Sequence, residues 1–115
     1  MNAATFRRMA LALPDTTDAP HMDRTAFRTP QRIFATMPAD GHTANVKLPP
    51  ATQLRVTREH QDAFEAVAGG WGRQGWTTVT LANVTKDLLL PVLREAHALA
   101  MVKSGKRSPK PKAAR

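Results

Sequence analysis

The sequence predicts an α+β domain, and three observations predict it. Apolar residues recur at helical spacing near both ends, as Phe6, Met9, Ala10 and Leu13 and again as Leu89, Val92, Leu93, Ala96, Leu99 and Ala100. Between them lie stretches that alternate apolar and polar, the signature of strands. Proline and glycine separate these stretches at Pro30, Pro38 to Gly41, Pro49-Pro50 and Gly69 to Gly75. The expected order is α-β-β-β-α-β-α. At 115 residues and 42% hydrophobic content, one globular domain is the natural reading.

Each element has its own reason. The first helix ends before Pro14, because the residue preceding a proline avoids the helical region. Residues 15–23 read as a polar loop. Three strands follow, at Ala26–Thr29, Arg32–Met37 and His42–Leu48. The turn Pro38-Ala-Asp-Gly41 joins the last two, since proline presets φ and Asp-Gly tolerates unusual backbone angles. Pro49-Pro50 closes the third strand and opens a helix with Ala51, Leu54 and Val56 on its apolar face. Residues 57–62 hold no apolar side chain, which divides a short helix to about Glu59 from a separate segment around Phe64 and Val67. One continuous helix is the alternative. Gly69 to Gly75 is a glycine-rich loop, and Trp76–Ala82 is a strand. The final helix carries Pro91, so Asp87 is preferred to Thr85 as its cap.

Charge divides the chain. From Lys103 onward there are six basic side chains, Lys103, Lys106, Arg107, Lys110, Lys112 and Arg115, and no acidic ones. Residues 1–102 hold 11 basic and 9 acidic side chains, which is close to balance. The reading is a folded body over residues 1–102 and a disordered basic tail over 103–115, where no large apolar side chain exists to be buried. The absence of cysteine excludes disulfides, thiolate zinc sites and thiol catalysis. No stretch has the length of a membrane span and the N-terminus lacks a secretory pattern, so a cytoplasmic protein is expected. The four histidines show no metal-ligand spacing and the carboxylates are scattered, so neither a metal nor a cofactor is expected. Both serines lie in the tail, which leaves no Ser-His-Asp arrangement in the body.

Strand parity yields the candidate site. Trp76 shares a face with Thr78 and Thr80, opposite Val79 and Leu81. Lys47 shares a face with Thr43 and Asn45, opposite Val46 and Leu48. If helices cover the apolar face, the other face is open and carries an aromatic and a cation, as in folds that stack bases and grip phosphates of single strands. The competing reading has Trp76 tucked over the strand edge as packing. The glycine-rich loop with Arg73 could hold a phosphate on backbone N–H groups. It lacks the Gly-Lys-Ser/Thr ending of a P-loop, and glycines that allow tight bends around two tryptophans are the simpler account.

Ala10-Leu-Ala-Leu-Pro14, Asn45-Val46-Lys47-Leu48 and Trp71-Gly-Arg-Gln-Gly-Trp76 followed by Val79 and Leu81 occur in an order that resembles the MmcQ/YjbR family. The resemblance covers about residues 6–102. It implies a frataxin-like (CyaY-like) two-layer sandwich, an antiparallel sheet with helices on one face. Members are commonly labelled DNA-binding, on the idea of a double-winged surface. Thr77 departs from the family, where many members carry asparagine, and the basic tail lies outside its pattern. The scattered carboxylates make no acidic ridge, so the iron-handling of frataxins is not expected here.

The function expected is a non-catalytic binding module for nucleic acid, with DNA as partner, acting through the open face and the tail. The residues proposed for it are Arg28, Arg32, Lys47, Arg73 and Trp76 with Lys103, Lys106, Arg107, Lys110 and Lys112. A protein-interaction or small-ligand adaptor is the first alternative, and an enzyme with an unrecognised site is the second. A positive patch joining Arg32, Lys47 and Arg73 would favour nucleic acid, and a concave apolar pocket near Trp71 would favour a ligand.

Overall fold

A computed structural model describes residues 1–102. In chain order the elements are α1 (Ala3–Leu11), β1 (Thr17–His21), β2 (Arg24–Arg28), β3 (Ile33–Pro38), β4 (Thr43–Lys47), α2 (Pro50–Glu59), β5 (Phe64–Ala66), α3 (Gly70–Arg73), β6 (Trp76–Thr80) and α4 (Lys86–Met101), with a 3-10 turn at Leu81–Asn83. The strands form one antiparallel sheet in the order β1-β2-β3-β4-β6-β5. The α+β class and the succession of expected elements hold, with two edge strands added. No described helix is long and apolar enough to cross a membrane.

Pairing register sorts the side chains onto two faces. Phe27 pairs with Ala35, Ala35 with Val46, Ala44 with Val79 and Val79 with Phe64, and all of them are buried. The helices cover this face with Phe6, Val56, Leu89, Leu93 and Ala96. A register shift after Phe27 leaves Phe34 without a pairing partner on β2. That extra residue is fully buried and meets His97 of α4 edge-on, at a centroid distance of 5.6 Å. His97 Nε2 in turn donates to the Pro14 carbonyl at 2.7 Å, which pins the end of the first helical segment to α4.

Five local expectations are corrected. The polar loop over 15–23 contains β1, and the segment around Phe64 contains β5. The glycine-rich loop contains the single turn α3. Leu54 does not face the core but is 51% exposed. Thr52 and Val56, one helical turn apart, face inward instead, and the Thr52 hydroxyl donates to the Glu95 carboxylate, so its burial leaves no unpaired donor. Thr85 rather than Asp87 caps α4, its hydroxyl accepting from the Leu88 N–H at 3.2 Å. Pro91 therefore lies inside the helix. The carbonyl it leaves unpaired is that of Asp87, an exposed first-turn residue that water can reach.

Candidate functional site

The face away from the helices is built from the opposite parity. Arg24, Ala26 and Arg28 of β2, Thr36 of β3, Asn45 and Lys47 of β4 and Trp76 and Thr78 of β6 follow one another through the register. A trough of about 490 Å³ runs across the strands there. That volume is within the usual range for ligand sites. The floor is made by Ile33, Thr36 and Asn45. One wall is the β1–β2 turn, residues 21–24, and the other is Val67, Trp71 and Trp76.

Local sequence explains both walls. β1 and β2 are joined by two residues, Met22 and Asp23, with His21 paired to Arg24. Tight hairpins of this kind need positive φ in the loop. Met22 supplies it at 60°, with its side chain 94% exposed at the tip. On the other side the glycines let the backbone close up. A Cβ at Gly72 would lie 1.8 Å from the Val67 carbonyl oxygen, and one at Gly75, where φ is 107°, would lie 2.2 Å from that of Leu48. This tight folding sets α3 at the start of β6 and leaves Trp71 63% exposed on the trough wall. Gln53 of α2 fixes the same corner from behind, its Nε2 donating to the Gly72 carbonyl at 2.9 Å and to Thr77 Oγ1 at 3.1 Å. The glycines thus serve close backbone approach.

Trp76 lies in the trough, half-buried, paired with Lys47 across the β4–β6 ladder. Aromatic pairs among the described residues join Phe6 to Phe27, Phe34 to His97 and His60 to Phe64. Neither tryptophan belongs to one. Arg24 lines the opposite end. Its Nε donates to Thr36 Oγ1 at 3.0 Å and its Nη2 lies 3.5 Å from the Thr36 carbonyl. The described ion pairs are Arg7–Asp18 and Arg55–Glu95, so no carboxylate among the described residues lies within 4.0 Å of Arg24. The trough therefore has an aromatic end and a cationic end, with Asp23 beside the latter.

The other expected site residues are spread more widely. Lys47 and Arg32 come together, but at a small crevice beside Ala96, Leu99 and Ala100 of α4, not in the trough. Arg28 is exposed on β2 and its Nε donates to the Thr29 carbonyl at 3.1 Å. Arg73 is exposed at the end of α3 and does not line the trough. No surface joins Arg32, Lys47 and Arg73 through the trough. Lys103, Lys106, Arg107, Lys110 and Lys112 lie outside the described residues. Arg24, Met22 and Trp71 were not among the expected site residues. For Arg24 the signal was present, since it alternates with Ala26 and Arg28 once the strand is begun two residues earlier.

Comparisons with known proteins agree with this architecture. The family model described as YjbR matches residues 11–99. Among solved structures, the chain is similar to Deinococcus radiodurans protein DR2400, described by the family-model domain DUF419. The TM-score is 0.75 at 19% identity, covering 94% of this chain and 83% of that one. It is also similar to a Pseudomonas syringae structural-genomics target, PsR293, with a TM-score of 0.64 at 16% identity, covering 87% of this chain and 99% of the other. At such identities the likeness concerns the fold. A search of curated proteins finds no match.

Proposed function

The chain belongs to the YjbR family, and from that premise we propose that it is a non-catalytic binding module that takes nucleic acid, DNA foremost, as a single strand across its open sheet face. The observation that carries this reading is the trough, with Trp71 and Trp76 on one wall and Arg24 at the other end. Stacking on an aromatic side chain contributes about 1–3 kcal/mol per base and tolerates any sequence. The basic residues from Lys103 onward add an electrostatic grip on phosphates. A cytoplasmic site of action belongs to the same reading. The test is fluorescence anisotropy of a labelled oligothymidylate titrated with the full chain and with Trp76→Ala. The variant should bind about tenfold or more weakly with its melting temperature little changed. Equal binding by both proteins would exclude the open face.

A second reading, a small-ligand adaptor, is favoured by one observation. Among the described residues Arg24 is the sole lysine or arginine lining the trough, which is sparse for a phosphate-tracking groove.

A further inference from the structure

We propose that the trough is built for one planar ring bearing an anionic group, the chemistry of a single nucleotide. The ring lies at the Trp71–Trp76 end and the anion at Arg24. This inference rests on the reading of the open face as the ligand surface and gives that ligand its chemistry.

Three features argue for it. Arg24 is a positioned cation. Two contacts to Thr36 hold the guanidinium against the strand, and no carboxylate among the described residues lies within 4.0 Å of it. A fixed guanidinium loses little freedom when it forms a charge-assisted pair with a phosphate or carboxylate. The opposite wall offers two indole rings without aromatic partners, and no indole N–H bond to protein is found among the described residues. Third, β2 and β6 stand three strand spacings apart in the sheet, about 14 Å between backbones. Side chains reaching inward from both ends shorten that span to the scale of one ring with its anion. Asn45 and Thr36 on the floor between can meet polar edges of the ring or sugar. Exposed Met22 supplies an adaptable apolar contact at the hairpin tip. Asp23 works against the anion and sets its limit, favouring a ligand of low charge.

The molecule carries its own reporter. Trp71 and Trp76 are its only tryptophans and it has no tyrosine. Indole emission therefore reads the trough and nothing else. The full chain is titrated with thymidine monophosphate, thymidine and inorganic phosphate, and in parallel with labelled oligothymidylate. Thymidine monophosphate should perturb the emission and bind roughly ten- to a hundredfold tighter than thymidine, the worth of a hydrogen-bonded charge pair. Arg24→Gln should abolish that difference. Thr36→Val should reduce it by releasing the guanidinium, and Asp23→Asn should enlarge it. Melting curves for each variant separate lost binding from lost fold, and Asp23→Asn, a gain of binding, cannot arise from unfolding. If thymidine monophosphate binds no tighter than thymidine, or Arg24→Gln leaves the difference intact, the inference is overturned. Should oligothymidylate bind through Trp76 while the monophosphate does not, the open-face reading survives and the nucleotide site falls. Should the monophosphate bind through Arg24 while the oligonucleotide does not, the site stands and its ligand is a free small molecule.

Discussion

Met22 occupies a backbone region that costs a residue with a Cβ of order 1–3 kcal/mol, yet its side chain is almost wholly in water. Folding alone gains little from a methionine there. Met22→Gly should leave stability unchanged or raise it by up to about 1 kcal/mol, the relieved strain being partly offset by the flexibility of glycine. The same change should weaken ligand binding at the trough. Denaturant titration and the indole signal, measured on one preparation, check both halves. Gly75 is the opposite case. Its φ of 107° and the 2.2 Å approach to the Leu48 oxygen make Gly75→Ala destabilising by about 1–3 kcal/mol from conformation alone, visible as a lower denaturant midpoint. Residues of this kind were only half legible in the sequence. The clustering of glycines about the tryptophans announced tight bends, but nothing in Met22-Asp23 marks a hairpin, because the usual glycine or asparagine is missing there.

The two strands that sequence patterns did not reveal are the two edges of the sheet. β1 reads Thr-Asp-Ala-Pro-His and has no alternation to detect, since four of its five residues are exposed. Pro20 is tolerated because an edge strand has one ladder without a partner. β5 is three residues long, below the length at which periodicity has meaning. Central strands β3, β4 and β6 were legible because one face of each is buried against helices. Helix α4 was legible by its stripe, but its start was not, because a side-chain cap can outweigh an internal proline. Thr85→Ala should therefore cost about 0.5–2 kcal/mol of stability. Asp87→Ala should cost only the smaller share owed to a charge near a helix N-terminus, about 0.3–1 kcal/mol. Thermal melts of the two variants side by side decide which residue is the cap. Within the same helix Leu93 is fully buried, and Leu93→Ala should cost about 2–5 kcal/mol.

At the scale of the whole molecule, shape and charge are held by different parts of the chain. The trough is lined by aromatic surface and one fixed guanidinium, whereas six of the 17 basic side chains follow residue 102 and the body is near balance. Affinity for nucleic acid should separate along the same line. Each phosphate neutralised contributes about 0.7 to the log–log salt slope on a single strand and about 0.9 on duplex DNA. Six charges can thus supply a slope of up to about four on a single strand and about five on duplex. Residues 1–102 end with the last apolar stripe at α4, so a chain of those residues alone should melt cooperatively. That shortened chain should lose most of the salt slope and nearly all duplex affinity, equally for every sequence. It should keep the Arg24-dependent response to thymidine monophosphate, because Arg24, Thr36, Trp71 and Trp76 all lie within residues 1–102. Titrations of both lengths against single- and double-stranded DNA, from about 50 mM salt upward, measure the two contributions separately. If the shortened chain binds one duplex sequence tightly and with a steep slope, the folded body reads DNA by itself and the division of labour is wrong. If the full chain binds neither form at the lowest salt, where such contacts are strongest, nucleic acid is not the ligand, and the trough serves a small molecule.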